Sequence, residues 1–213
     1  MKKLVLLTLS TALIAACGNS SSDKSNAVDS DLKAEVEALK QDIYGGIVGN
    51  CPKTDWIATL DDYKKTLEGL PAADLDPEEW HKANGERDGV MTTTSGLQYS
   101  VVKSGDESDP SPYPRDKIMV NYHGIFPNGD LFDSAYERGD PAEFQANQVI
   151  SGWIEALGDM KPCEARTLYI PGILAYGPQG RKNADGTYAI PPNATLLFHV
   201  QLLRIKRPAL VQK

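Results

Sequence analysis

The apolar residues of this chain change their period at Gly89, and that change constrains the fold more than any other feature of the 213 residues. Up to residue 85 they recur every three or four positions; beyond Gly89 they alternate. A spacing of three and four draws one stripe along a helix, and a spacing of two draws one face of a strand. The sequence therefore predicts helices first and a half-buried sheet after them.

In the first part, Leu32, Val36, Leu39 and Ile43 share a face until Gly45-Gly46 ends the run. Trp56, Leu60, Tyr63 and Leu67 repeat the spacing, with Thr54 as the expected cap and Gly69 and Pro71 behind. Asp76-Pro77-Glu78-Glu79 is the clearest start: a capping residue, a proline at the first helical position and a glutamate three residues after the cap, closed by Gly85. Residues 31–88 thus read as a small helical module. So short a module buries little by itself, so it is expected to dock or self-associate, and any homodimer to depend on residues 31–85.

In the second part, Leu97, Tyr99 and Val101 alternate, as do Ile118, Val120 and Tyr122, and Pro127-Asn128-Gly129-Asp130 turns the chain before Leu131-Phe132-Asp133. A further strand is expected over Ala165–Pro171, then a long Gly-rich loop from Gly177 to Pro192. The last strand, Thr195–Arg207, holds Leu196, Phe198, Val200 and Leu202 in one phase and Leu203 and Ile205 in the other. A bulge near Leu202-Leu203 would reconcile them. One stretch interrupts the alternation: Ile150, Trp153, Leu157 and Met160 fall at helical spacing, with Ser151 placed to cap and Lys161-Pro162 to stop. Strands wrapped on this one short helix make an α+β domain with an antiparallel sheet. Trp153, in the first turn, would stand at the mouth of the core, where it is either a pocket floor or ordinary packing.

Met1-Lys2-Lys3 followed by an apolar run over residues 4–16 is an export signal, too short to cross a bilayer core of roughly 30 Å as a helix. Its end, Leu13-Ile14-Ala15-Ala16-Cys17, resembles the bacterial lipobox, which implies cleavage after residue 16 and lipid on Cys17. Gly18 behind it points to the outer rather than the inner membrane. Residues 18–30 are small and polar and read as a flexible tether. Cys51 and Cys163 remain, in an oxidising compartment; a disulfide between them and two unpaired thiols are both open. Three scattered histidines, His81, His123 and His199, and two isolated cysteines supply no metal-ligand cluster. A net charge of −7 without a basic cluster argues against nucleic acid.

Residues 89–207 carry a specific resemblance. Val120-Asn121-Tyr122-His123-Gly124, Gly129-Asp130-Leu131-Phe132-Asp133-Ser134, Gln148-Val149-Ile150-Ser151-Gly152-Trp153, Leu174-Ala175-Tyr176-Gly177 and Ile190-Pro191-Pro192-Asn193-Ala194-Thr195-Leu196 resemble, in order and spacing, the FKBP-type peptidyl-prolyl cis-trans isomerases. With the helical module ahead of it, the chain is similar to exported bacterial two-domain members that dimerise through N-terminal helices, although the long connecting helix of those proteins is missing. The resemblance implies a proline pocket with Trp153 as floor. It places Tyr122, Phe132, Asp133, Ile150, Trp153, Tyr176 and Phe198 in catalysis and Val149 and Ile190 in substrate binding. The Tyr176 hydroxyl and the Ile150 N–H would donate to substrate carbonyls, and no cofactor or metal is implied. Two features depart from the family: Ala142 stands where many members have an aromatic wall, and the loop Arg181–Ala189 is longer, with only Tyr188 to stand in for their loop tip. Substrate preference and affinity for the macrolide tacrolimus are left open by them.

The implied chemistry suits these residue types. Rotation about an X-Pro bond faces a barrier of roughly 18–20 kcal/mol set by amide resonance. No covalent bond breaks, so a catalyst need only hold the twisted amide better than either planar form. The twisted amide has lost charge from its oxygen, and a dry aromatic pocket opposes it less than water does. The expected clients are proline-containing exported proteins, met at the cell envelope by a lipid-anchored isomerase facing the periplasm. A folding chaperone that binds clients with isomerisation incidental is the alternative, and a surface interaction protein using an inert copy of the domain is a third.

Overall fold

The computed structural model describes residues 46–49 and 51–208, all within one compact unit of residues 40–213. The export segment 1–16, Cys17, the tether 18–30 and the helix expected over 31–43 lie outside the described residues. In chain order come β1 (Gly46–Val48), α1 (Lys53–Thr66), α2 (Pro77–Gly85), β2 (Met91–Thr92), β3 (Gln98–Lys103), β4 (Lys117–Ile125) and β5 (Leu131–Ser134). They are followed by α3 (Ala135–Arg138), β6 (Ala142–Gln145), α4 (Ser151–Leu157), β7 (Ala165–Ile170), β8 (Arg181–Lys182), β9 (Tyr188–Ile190) and β10 (Leu196–Arg207).

The main sheet runs β2-β3-β7-β10-β4-β5, with β1 beside the end of β10 and β6 beside β4, and every pairing is antiparallel. This is the α+β architecture expected from the change of period. β10 is its longest strand and pairs with β7, β4 and β1. Its register against β4 shifts between Leu202 and Arg204, the bulge that the two apolar phases required. Leu202 and Ile205 are both fully buried in the same core as a result.

α4 packs on one face of the sheet. Trp153, Ala156, Leu157 and Met160 are buried there with Ile118, Val120, Leu168, Ile170 and Val200. The approach is close enough that a Cβ on Gly152 would lie 2.7 Å from Ile170 Cγ2. Ile150, not Ser151, caps the helix: its extended backbone presents the carbonyl to the N–H groups of Trp153 and Ile154 at 2.9 and 3.1 Å. No side chain caps this end, and Gly158, ahead of Lys161-Pro162, is the C-cap.

α1 and α2 cover the opposite face. α1 starts at Lys53, one residue before the expected cap Thr54. α2 starts as its sequence predicts, with the Asp76 carboxylate accepting from the N–H groups of Glu78 and Glu79. Capping contributes about 1 kcal/mol, whereas burying Trp80, 1% exposed, against Tyr169, Leu197 and Ile125 is worth roughly 2–3 kcal/mol, so packing holds α2 more than its cap does. The polar contacts are also specific: Thr66 meets Thr167 at 2.6 Å, and the Thr66 carbonyl accepts from Tyr169 and Arg87 at 3.0 and 2.6 Å. Those donors satisfy a helix end that would otherwise be left without partners.

Cys51 and Cys163 are joined in a disulfide, tying the segment after β1 to the turn ahead of β7. Cys163 has a φ of 66°, and its N–H donates to Leu202 O at 2.7 Å. A cysteine in the left-handed region is held there by its surroundings rather than by preference.

Candidate active site

Three strands and the start of α4 deliver aromatic rings to one place. Tyr122 on β4, Phe198 on β10 and Phe144 on β6 surround Trp153. Tyr122 and Phe198 meet its indole edge-on with centroids 5.4 and 5.2 Å away, both at 79°; Phe144 lies 6.0 Å away at 88°. Such geometry matches the positive edge of one ring to the negative face of another. Alternation along β4 and β10 is what points Tyr122 and Phe198 to the same side as Val120 and Val200. Between them Gly124 is required, because a Cβ there would sit 2.8 Å from both Phe132 and Phe198.

These rings bound a cavity of about 430 Å³, completed by Asp133, Gln148, Val149, Ile150, Tyr176 and Arg181. Seven of the nine pocket residues expected from sequence therefore meet at one cavity: Tyr122, Asp133, Val149, Ile150, Trp153, Tyr176 and Phe198. The other two lie behind it. Phe132 braces Phe198 from outside, edge-on at 5.2 Å, and Ile190 is 2% exposed in the core. Tyr188, the expected loop tip, does not line the cavity; it is half exposed with Lys182 Nζ 5.1 Å over its ring.

The wall expected to be open at Ala142 is filled by Phe144, two residues along the same strand and so on the same face. The alternation Ala142-Glu143-Phe144 carried this signal, but β6 is only four residues long. Gln148 and Arg181 also line the cavity without having been singled out. The stretch Gly177–Pro192, expected to be a loop, folds back on itself through the β8–β9 hairpin. Gly180 makes that possible: its φ is 60°, and a Cβ would lie 2.4 Å from Ile190 O.

One polar cluster closes the cavity beside Tyr122. The Tyr122 hydroxyl donates to Asp133 Oδ2 at 2.7 Å, while Arg138 reaches both the Tyr122 oxygen, at 2.6 Å, and Asp133 Oδ1. The guanidinium also lies 5.4 Å from the centroid of the Tyr122 ring. Arg138 was not foreseen from sequence. It arrives because Ser134 caps the one-turn helix α3, which returns the chain to the side of Asp133 five residues later. Burial pushes the Asp133 carboxyl up, but the hydrogen bonds from Tyr122 and Arg138 outweigh it and leave the group below its ordinary 3.8. For Tyr122, burial and the Asp133 hydrogen bond push the phenol up. At neutral pH the cluster is a carboxylate, a phenol and a guanidinium, all mutually engaged, so no group in it is set to take or deliver a proton. The arrangement suits binding and orientation in an apolar cavity, not covalent chemistry.

Known proteins are similar to this chain in sequence and in fold. Residues 109–203 match the model of the FKBP-type peptidyl-prolyl cis-trans isomerase family. The peptidyl-prolyl cis-trans isomerase Mip of Coxiella burnetii is 44% identical over 125 residues, which are 59% of this chain and 51% of that protein. The FKBP-type peptidyl-prolyl cis-trans isomerase FkpA of Escherichia coli is 32% identical over 196 residues, 91% of this chain and 63% of the relative. The crystal structure of FkpA from Escherichia coli is similar with a TM-score of 0.56 at 28% identity, over 92% of this chain and 100% of the crystallised one. The chain spans about half the length of most of the curated relatives it matches.

Proposed function

This chain belongs to the FKBP-type peptidyl-prolyl cis-trans isomerase family through residues 109–203, and from that premise we propose that it is a prolyl isomerase acting on exported proteins. The observation that carries the proposal is the aromatic cavity: five rings, of Tyr122, Phe144, Trp153, Tyr176 and Phe198, around one volume, with the engaged Tyr122–Asp133–Arg138 cluster at its side. The prolyl ring of a substrate sits over Trp153, and the amide ahead of it rotates away from water. Because the twisted amide carries less charge on its oxygen than the planar one, the apolar walls disfavour the planar ground states relative to the transition state. Each ~1.4 kcal/mol of that difference gives a tenfold rate increase. The Ile150 N–H and the Tyr176 hydroxyl fix the substrate backbone through its carbonyls. Asp133 and Arg138 hold the Tyr122 ring in place and exchange no proton.

The site of action in this proposal is the bacterial cell envelope. Cys17 carries lipid, residues 18–30 form the tether, and the folded part faces the periplasm. The Cys51–Cys163 disulfide supports an oxidising compartment. The apolar residues of 53–85 that are buried, Tyr63 and Trp80 foremost, pack within the chain, so a homodimer would rest chiefly on residues 31–45.

The test is isomerisation of a short X-Pro peptide, with and without tacrolimus, by the wild-type protein and by Asp133→Ala and Tyr176→Phe variants, beside protection of an unfolding client from aggregation. Catalysis that tacrolimus suppresses and the substitutions weaken is the expected result. Client protection that survives in variants lacking isomerisation would favour the chaperone reading, and a folded protein without catalysis would defeat the isomerase reading.

A further inference from the structure

Two charged side chains line the cavity, and they are not in the same state. Asp133 is engaged by Tyr122 and Arg138. The side chain of Arg181, at the start of β8, makes no hydrogen bond or ion pair with any described residue. Its backbone is nevertheless fixed. Arg181 pairs with Ile190 in the β8–β9 hairpin, and Gly180 beside it packs against the Ile190 carbonyl where no other residue would fit. The nearby charges are otherwise occupied. Lys182 lies over the Tyr188 ring, and the Asp185 carboxylate accepts from the N–H and hydroxyl of Thr187 at 2.9 and 2.6 Å. The cavity of a chain with net charge −7 thus presents an unneutralised guanidinium at its edge.

We propose that Arg181 is a specificity determinant that favours prolyl substrates with a carboxylate on a residue next to the proline, an inference that rests on the isomerase reading above. A guanidinium held at the edge of an apolar cavity presents a planar fork of donors, which a glutamate or aspartate side chain matches and an amide or ammonium does not. The Asp133 charge is already paired with the Arg138 guanidinium, and no described contact joins Asp133 to Arg181.

The experiment measures exchange catalysis by NMR on N-acetylated, C-amidated peptides carrying Glu, Gln or Lys either immediately before or immediately after proline. The full-length protein is compared with Arg181→Gln, Arg181→Glu and Arg181→Lys. At one of the two positions, kcat/KM is expected to favour Glu over Gln by about three- to fivefold, the range of a solvent-exposed charge pair, and to lose that margin as salt is raised. Arg181→Lys keeps part of the preference, Arg181→Gln removes it and Arg181→Glu turns it towards Lys. Equal rates for Glu and Gln at both positions, or a Glu preference that survives Arg181→Gln, overturn the assignment. A wild-type protein that is folded but inactive on every peptide instead overturns the isomerase reading and this assignment with it.

Discussion

Arg138 acts on the cavity only through Tyr122 and Asp133, and its removal separates positioning from binding. Arg138→Gln changes no side chain that lines the cavity, but it withdraws a cation from the half-exposed Asp133 carboxylate and a donor from the Tyr122 oxygen. The Asp133 carboxyl, now held below 3.8 by Tyr122 and Arg138 against the effect of burial, is expected to rise towards that ordinary value. A titration followed at the Asp133 carboxyl carbon by NMR reads this directly. The loosened Tyr122 should cost roughly three- to tenfold in kcat/KM, the scale of losing one charge-assisted hydrogen bond at a partly solvated site. An unmoved Asp133 titration would show that Arg138 is a spectator. Phe144 fills the gap at Ala142 from the next position on the same face, which follows only from β6 being a strand.

Between elements, the two faces of the sheet are sensitive in different ways. On the α4 face, Gly152→Ala drives a methyl to within 2.7 Å of Ile170 Cγ2, so the helix must back away from β7. A loss of about 1–3 kcal/mol by urea unfolding is expected, with weaker catalysis because Trp153 moves too. On the α1 face, His199 is buried, stacked on Tyr63 at 5.0 Å and bonded to the Tyr136 hydroxyl at 3.1 Å, with no partner for its Nδ1 among the described residues. Burial, aided by the neighbouring His123, pushes its pKa from 6.5 down to about 3. The unfolded chain therefore takes a proton between those values while the folded chain does not. Its contribution to stability is complete above pH 6.5 and declines as pH falls towards 3, by an amount on the order of a few kcal/mol. Burial lowers His123 and His81 in the same direction. His199→Gln should flatten the slope of unfolding free energy across that window; an unchanged slope would assign the acid sensitivity to the other histidines.

Across the whole molecule, the disulfide spans a sequence separation of 112 and crosslinks the segment ahead of α1 to the turn before β7. Replacing both Cys51 and Cys163 by alanine is expected to lower stability by about 2–4 kcal/mol, as measured by urea unfolding, with kcat/KM retained because neither cysteine lines the cavity. A loss of catalysis in a protein that remains folded would contradict this. Light scattering should find a chain beginning at Gly46 monomeric and one beginning at Asp31 dimeric; a dimer of the shorter chain would defeat the assignment to residues 31–45.

The change of period at Gly89, the cap at Asp76 and the bulge in β10 were legible in the sequence as local or periodic signals: a spacing of two or of three and four, a capping side chain, a phase shift within one strand. The residues around the cavity were legible only through the motifs that resemble the family, because each taken alone reads equally as core. Arg138, Arg181 and Phe144 were legible in neither way, because a side chain becomes part of a cavity only when the backbone beneath it turns. α3 is a single turn, β6 has four residues and the β8–β9 hairpin depends on the left-handed Gly180. Segments this short carry almost no periodicity of their own. The partner of each cysteine was likewise undecided by counting, since two thiols are compatible with a bond or with none. The antiparallel pairing of β1 on β10, with the Cys163 N–H bonded to the Leu202 carbonyl, brought the two sulfurs together. Local order was written in side-chain spacing; which distant groups met was decided by the sheet, because strand register, unlike helical period, is a relation between segments far apart in the chain.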